Sequence, residues 1–189
     1  MNVKEAIQRR RSYRILKPVE ISNQILEEIG KAAQLAPSCF NNQPWRFIFV
    51  SDKNVLEKVF TALSEGNTWA KQASLIIVIF GNKENDCVIK QREYYLFDMG
   101  IATSAMMLRA TELGLVAHPI AGFSPEKVKE ILEIPVNNMV ITLLIVGKKS
   151  NEIKGEYSEK QIEAEEKRPE RRKIKQIYSI DKYNKELES

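Results

Sequence analysis

The sequence is poor in the side chains that most enzymes use to move protons or hold metals: one histidine, His118, and two cysteines, Cys39 and Cys87, among 189 residues. A nucleophilic triad needs a base beside its serine or cysteine. His118 follows Ala117 and precedes Pro119 in an apolar turn, where a packing or backbone-bonded role is expected. Two cysteines do not compose a disulfide framework, and with one histidine they do not compose a zinc site. Both are read as buried or incidental thiols, and no metal is expected. The G-x-S-x-G, Walker lysine and G-x-G-x-x-G motifs are also missing, which removes the α/β-hydrolase, P-loop and dinucleotide-fold readings. The greasiest stretch, Tyr94 to Ala110, is interrupted by Asp98, Gly100 and Arg109 and reads as a buried helix rather than a membrane span. The N-terminus carries no basic start followed by an apolar run and a small-residue cleavage site, so a cytoplasmic location is expected.

What is present suits one globular domain over residues 1–189. Apolar residues make up 43% of the chain, and the 29% that are charged are mixed in sign. The net charge of +4 hides two compact basic clusters, at Arg9 to Arg14 and at Lys167 to Lys175. A nucleic-acid binder spreads such residues along a groove with aromatic partners, and no nucleic-acid module accompanies these. Two tight clusters fit the phosphate of a small ligand better.

Periodicity predicts a short helix over Asn2 to Arg11, a second from Ser22 to the stop at Pro37, and a third over Asn54 to Leu63 behind Asp52. Arg46 to Val50, Leu75 to Phe80 and Met139 to Val146 read as strands, the latter two apolar enough to be buried on both faces. A long helix is expected from about Val88 to Leu113, apolar nearly all round and therefore covered on all sides, ending at Gly114. Ser124-Pro125 opens a further helix to about Leu132. Hairpin signals are absent, so the class is α/β or α+β. Beyond Gly147 charged residues dominate. Residues 150–189 read as an arm crossing the surface, onto a second subunit, with a short strand at Ile174 to Tyr178.

Two islands carry the chemistry. Arg9-Arg10-Arg11-Ser12-Tyr13-Arg14 gathers guanidinium forks and a hydroxyl, a set that matches phosphate oxygens. Pro37-Ser38-Cys39-Phe40-Asn41-Asn42-Gln43-Pro44-Trp45-Arg46-Phe47 places amides, a hydroxyl and rings at a helix-to-strand junction, a shelf for something flat and polar. A redox protein needs no catalytic histidine when a bound organic cofactor does the chemistry.

Together the two islands resemble the paired N-terminal signature of the FMN-dependent nitroreductase family. The resemblance continues through Asp98-Met99-Gly100-Ile101-Ala102, Leu113-Gly114-Leu115, Pro119 to Phe123, Val146-Gly147 and Arg171-Arg172-Lys173-Ile174. It implies an α+β fold with a central, mostly antiparallel sheet wrapped by helices, in an intertwined homodimer with FMN at the subunit interface. On this chain Arg10, Arg11, Ser12 and Arg14 would hold the phosphate and ribityl region, joined by Arg171 and Arg172 from the arm. The partner subunit's Pro37, Ser38, Asn41 and Gln43 would line the ring. Ile120, Ala121 and Gly122 would run along the opposite edge, and Asn67 would meet the pyrimidine edge.

The implied activity is ping-pong hydride transfer from NADH or NADPH through FMN to a small-molecule acceptor, a nitroaromatic or quinone. The same fold also serves reductive dehalogenation and flavin breakdown, which call for a lid. A nonenzymatic binding or regulatory protein would instead be colourless. The chain is short for the family, with little room for insertions between Gly81 and Val88 or after Gly122, so an open pocket is expected.

Overall fold

The structure, a computed structural model, describes residues 1–188. The chain begins with α1 (Val3–Arg9), whose N-cap Asn2 exchanges capping-box bonds with Glu5. Strand β1 (Leu16–Lys17) is followed by α2 (Asn23–Gln34), where the Ser22 hydroxyl accepts from the Ile25 N–H. Next come β2 (Trp45–Val50) and α3 (Lys53–Phe60), the latter capped by Asp52. After β3 (Leu75–Gly81), a ribbon of β4 (Val88–Ile89) and β5 (Arg92–Glu93) leads into α4 (Tyr94–Glu112). The remainder is β6 (Val116–Ile120), α5 (Pro125–Leu132), β7 (Met139–Lys149) and α6 (Glu159–Glu166).

Strands β3 and β7 form the centre of the sheet, and every pairing among the described residues is antiparallel. Residues 143–146 of β7 pair with both β3 and β6, so those two strands flank it; β2 extends the sheet beyond β3. The alternation of side chains divides the interior into two layers. Leu75, Ile77, Ile79, Leu144 and Val146 pack with α2 and α4 residues such as Ile29, Ala33, Met99 and Met106. Ile76, Val78, Leu143 and Ile145 pack on the other side with Leu56, Val59 and Val128 of α3 and α5. The fold is therefore α+β, with an antiparallel sheet between helices. No helix among the described residues is long and apolar enough to cross a membrane.

Four local expectations are corrected. The long helix begins at Tyr94 rather than near Val88, because Val88 to Glu93 form a hairpin turned at Lys90, whose φ is 59°. A Lys-Gln turn carries none of the usual glycine or asparagine signal. His118 and Pro119 lie in a strand, not a turn; Pro119 is tolerated because β6 pairs only with β7. The arm contains a helix, α6, started by a reciprocal Ser158–Gln161 capping box, and Ile174–Gln176 is a single 3-10 turn in place of a strand. The two cysteines are joined as a Cys39–Cys87 disulfide.

Candidate functional site

The arginine island leaves the end of α1 and meets the arm. Arg10, Arg11, Ser12, Arg14, Arg168 and Arg171 line a cavity of about 170 Å³, closed by Ala164 and Pro169. A larger hollow of about 650 Å³ along α6 shares Ala164, Arg168 and Pro169 with it. The arm fixes the island through its backbone. Arg11 donates to the Ala164 carbonyl at 2.5 Å, the Glu165 carboxylate accepts the Arg14 N–H at 2.6 Å, and Arg168 donates to the carbonyls of Gln8 and Arg10 at 2.6 and 2.9 Å. Arg10 also donates to the Ser12 hydroxyl at 3.2 Å. Among the described residues none of the five arginines forms an ion pair. Burial, and then the neighbouring Arg168 and Arg171, push the Arg10 guanidinium below its ordinary pKa. This much crowded positive charge, with Glu165 as one carboxylate beside Arg14 and no guanidinium ion pair among the described residues, is costly to assemble and favours an anion between the forks.

Below the island a relay of contacts leads to the β6 end. The Arg14 guanidinium lies 5.9 Å from the Trp69 ring, which stacks on His118 at 4.7 Å. Trp69 donates to the Asn67 side-chain oxygen at 3.1 Å, and the Asn67 amide donates to the Gly122 carbonyl at 3.0 Å. Gly122 fits tightly: a Cβ there would lie 2.4 Å from Ser64 Oγ and 2.5 Å from Asn67 Nδ2. Ile120 is buried at the strand end, Ala121 is exposed, and Gly122 is half-buried.

His118 is the buried prop of this relay and not a base. Its Nδ1 is 3.1 Å from the Tyr13 carbonyl, so it donates upward into the arginine island. Burial holds its pKa down to about 4 from the ordinary 6.5; the Tyr13 bond opposes this, and Arg14 and Arg10 add to it. The unfolded chain therefore takes up a proton that the folded chain refuses between those values. Stability is full above the unfolded pKa and is expected to fall by about 3 kcal/mol as pH drops to the folded one. Urea unfolding at neutral pH and near pH 4 measures this, and His118→Phe is expected to flatten the dependence.

The second island sits apart. Its hydrogen bonds run within its own turn, to α4, and to Asp86 and Cys87; among the described residues none reaches the arginines. Phe40, Asn41 and Gln43 all have left-handed backbones, with φ of 48°, 59° and 50°. Non-glycine residues hold such angles only where the surroundings over-determine them. Here the Ser38 hydroxyl accepts the Gln43 N–H at 2.9 Å, Asp98 accepts the Cys39 N–H at 2.7 Å, and the disulfide anchors Cys39 to Cys87. The result projects Phe40, 88% exposed, beside the exposed Pro37 and Asn41.

Within one chain, then, Arg10, Arg11, Ser12, Arg14 and Arg171 share a pocket; Asn67 and Gly122 are bonded beneath it; Pro37, Ser38, Asn41 and Gln43 form a separate surface. Arg172 is exposed and does not line the pocket. Sequence reasoning missed Arg168, although it lies in the basic run at Lys167 to Lys175, and Glu165, which the Ser158–Gln161 box would have put on a helix. Trp69 had no signal of its own.

Residues 7–148 match the family model described as the nitroreductase family. A protein of Archaeoglobus fulgidus whose name carries both NADH dehydrogenase and NAD(P)H nitroreductase is 32% identical over 147 residues, 73% of this chain and 80% of that protein. A crystal structure of a nitroreductase family protein from Clostridium difficile 630 superposes with a TM-score of 0.80 at 28% identity, covering 97% of this chain and 100% of that one. The structure of an oxidoreductase containing FMN has the same fold, with a TM-score of 0.81 at 24% identity over 97% of this chain and 94% of that one.

Proposed function

The chain belongs to the nitroreductase family, and from that premise we propose that it is an FMN-dependent NAD(P)H oxidoreductase acting on nitroaromatic or quinone-type acceptors. The carrying observation is the pocket of five arginines that form no ion pair among the described residues, beside the hollow along α6 with which it shares Ala164, Arg168 and Pro169. Those residues fit FMN: guanidinium forks for a phosphate, and the Ser12 hydroxyl free to donate while it accepts from Arg10. Bound there, FMN would supply the two-electron chemistry that these side chains lack, passing hydride from nucleotide to acceptor in a ping-pong sequence.

The chain's own residues bind and orient. Arg10, Arg11, Arg14, Arg168 and Arg171 would hold the phosphate end; α6 fixes Arg11 through the Ala164 carbonyl and Arg14 through the Glu165 carboxylate. Asn67 fixes the Gly122 carbonyl, which would set the Ile120–Gly122 backbone to line the ring. Ser38, Asn41 and Gln43 would supply the ring shelf to a second copy of the chain, since among the described residues this loop makes no hydrogen bond to the arginine island of its own chain. The apolar surface of α4, with Leu96 43% and Phe97 64% exposed, supports such a homodimer.

The purified protein is expected to be yellow and to carry one FMN per chain. Its visible absorbance should bleach when NADH or NADPH is added without oxygen and return with a quinone or nitroaromatic. A colourless protein that takes up no FMN, or a colour that neither nucleotide bleaches, contradicts the reading.

A further inference from the structure

The Cys39–Cys87 link lies in an unusual setting. The ligand atoms of Cys39, Cys87 and Asp86 all fall within 4.8 Å of one another. Asp98, 2% exposed, is the next acid, held by its bond to the Cys39 N–H. The Asp86 carboxyl lies against the Asp98 carboxyl, and the Asp86 Oδ2 atom is buried with no donor from the backbone or another side-chain type among the described residues. Among those residues neither acid forms an ion pair with a lysine or arginine. Asn42 is the neutral neighbour, its amide 3.3 Å from Asp86 Oδ1 and 3.5 Å from the Cys87 sulfur. Two adjacent carboxyl groups thus converge on two sulfurs, with no lysine or arginine paired to either among the described residues.

We propose that in its dithiol form this cluster is a binding site for a zinc-class divalent cation, with Cys39, Cys87 and Asp86 as ligands and water in the fourth position. The Cα atoms of the two cysteines are 6.1 Å apart. That spacing lets both sulfurs swing to a common ion at about 2.3 Å each, some 3.8 Å from one another in a tetrahedral shell. The chemistry balances. Two equivalents of a small thiol reduce the S–S bond, giving two electrons and two protons to the sulfurs and leaving as their own disulfide. The cation then displaces two protons from the thiols to solvent. Disulfides persist poorly in reducing compartments, and the ion would hold the same two segments, 48 residues apart in sequence, in the disulfide's place. The strained Phe40–Gln43 shelf would therefore keep its anchor in either redox state. This inference does not depend on the cofactor assignment.

The test uses the full chain, reduced and freed of reductant without oxygen, titrated with Co²⁺ and then Zn²⁺. The expected result is a thiolate-to-cobalt charge-transfer band with tetrahedral visible bands, saturating at one ion per chain and displaced by Zn²⁺. Zn²⁺ should also slow the reaction of both thiols with a disulfide reagent by at least about tenfold. Asp86→Asn, isosteric and with both thiols intact, should weaken binding about 10- to 100-fold, and Cys39→Ser should abolish the charge-transfer band. Thiols equally reactive with and without Zn²⁺, or cobalt spectra without thiolate character, overturn the site; an Asp86→Asn variant that binds as tightly as the parent overturns the ligand set.

Discussion

Arg10→Ala/Arg171→Ala is expected to bind FMN at least about 100-fold more weakly than the parent and to purify without colour. Charge-assisted hydrogen bonds to a phosphate are each worth about 1.5–3 kcal/mol, and removing two forks removes about 3–6 kcal/mol, where 1.4 kcal/mol is a factor of ten. The same change should act in the opposite direction on the FMN-free fold. Arg10 is pushed toward its neutral form by burial and by the charges of Arg168 and Arg171, so deleting two of the crowded cations relieves repulsion. Arg168 keeps its bonds to the Gln8 and Arg10 carbonyls because these use the backbone. Thermal melts without FMN should therefore show equal or higher midpoints for the variant, while the FMN-induced shift disappears. A site that exists to bind, and not to stabilise, has this signature. Arg172→Ala, outside the pocket, is the control and should leave affinity within about threefold, the range expected for a surface change. A variant destabilised in the absence of FMN would mean that the arginines are structural.

How much of this was legible beforehand depends on the kind of interaction. Leu75 to Phe80 and Met139 to Val146 were readable as strands because a run without alternation is covered on both faces; the cover is complete over Leu143 to Val146, while Met139 is 52% exposed. Ser22, Asp52 and Ser124 were readable as caps because capping is local. The β4–β5 ribbon was hidden by a turn without glycine, and β6 by a proline that only an edge strand tolerates. The disulfide was out of reach because its partners meet only once α4 and the ribbon have placed Cys87 beside the Ser38–Gln43 turn. Glu165 and Arg168 were obscured differently. In a segment where charged residues dominate, no pattern distinguishes the one glutamate that the fold buries, at 7% exposure, from its solvated neighbours.

The two islands, proposed as a phosphate clamp and a ring shelf, lie apart in one chain. Large apolar side chains are exposed: Phe97 and Leu96 on α4, Val3 and Ile7 on α1, and Phe40 at the shelf. If each FMN is clamped by one subunit and shelved by the other, defects in the two islands should complement across a dimer. A chain carrying Arg10→Ala/Arg171→Ala keeps its shelf; a chain carrying Asn41→Asp/Gln43→Glu keeps its clamp, with side chains of unchanged shape that replace amide donors by carboxylates. Asp tolerates the left-handed backbone at Asn41 about as well as Asn does. Each homodimer should lose FMN at both sites. In the hybrid, one site combines both defects and the other combines the intact clamp of the second chain with the intact shelf of the first. The decisive measurement is the FMN content of the purified hybrid, tagged differently on each chain: the account predicts one FMN per dimer, with nucleotide-dependent bleaching restored, whereas a hybrid without FMN would place clamp and shelf in the same subunit and contradict it.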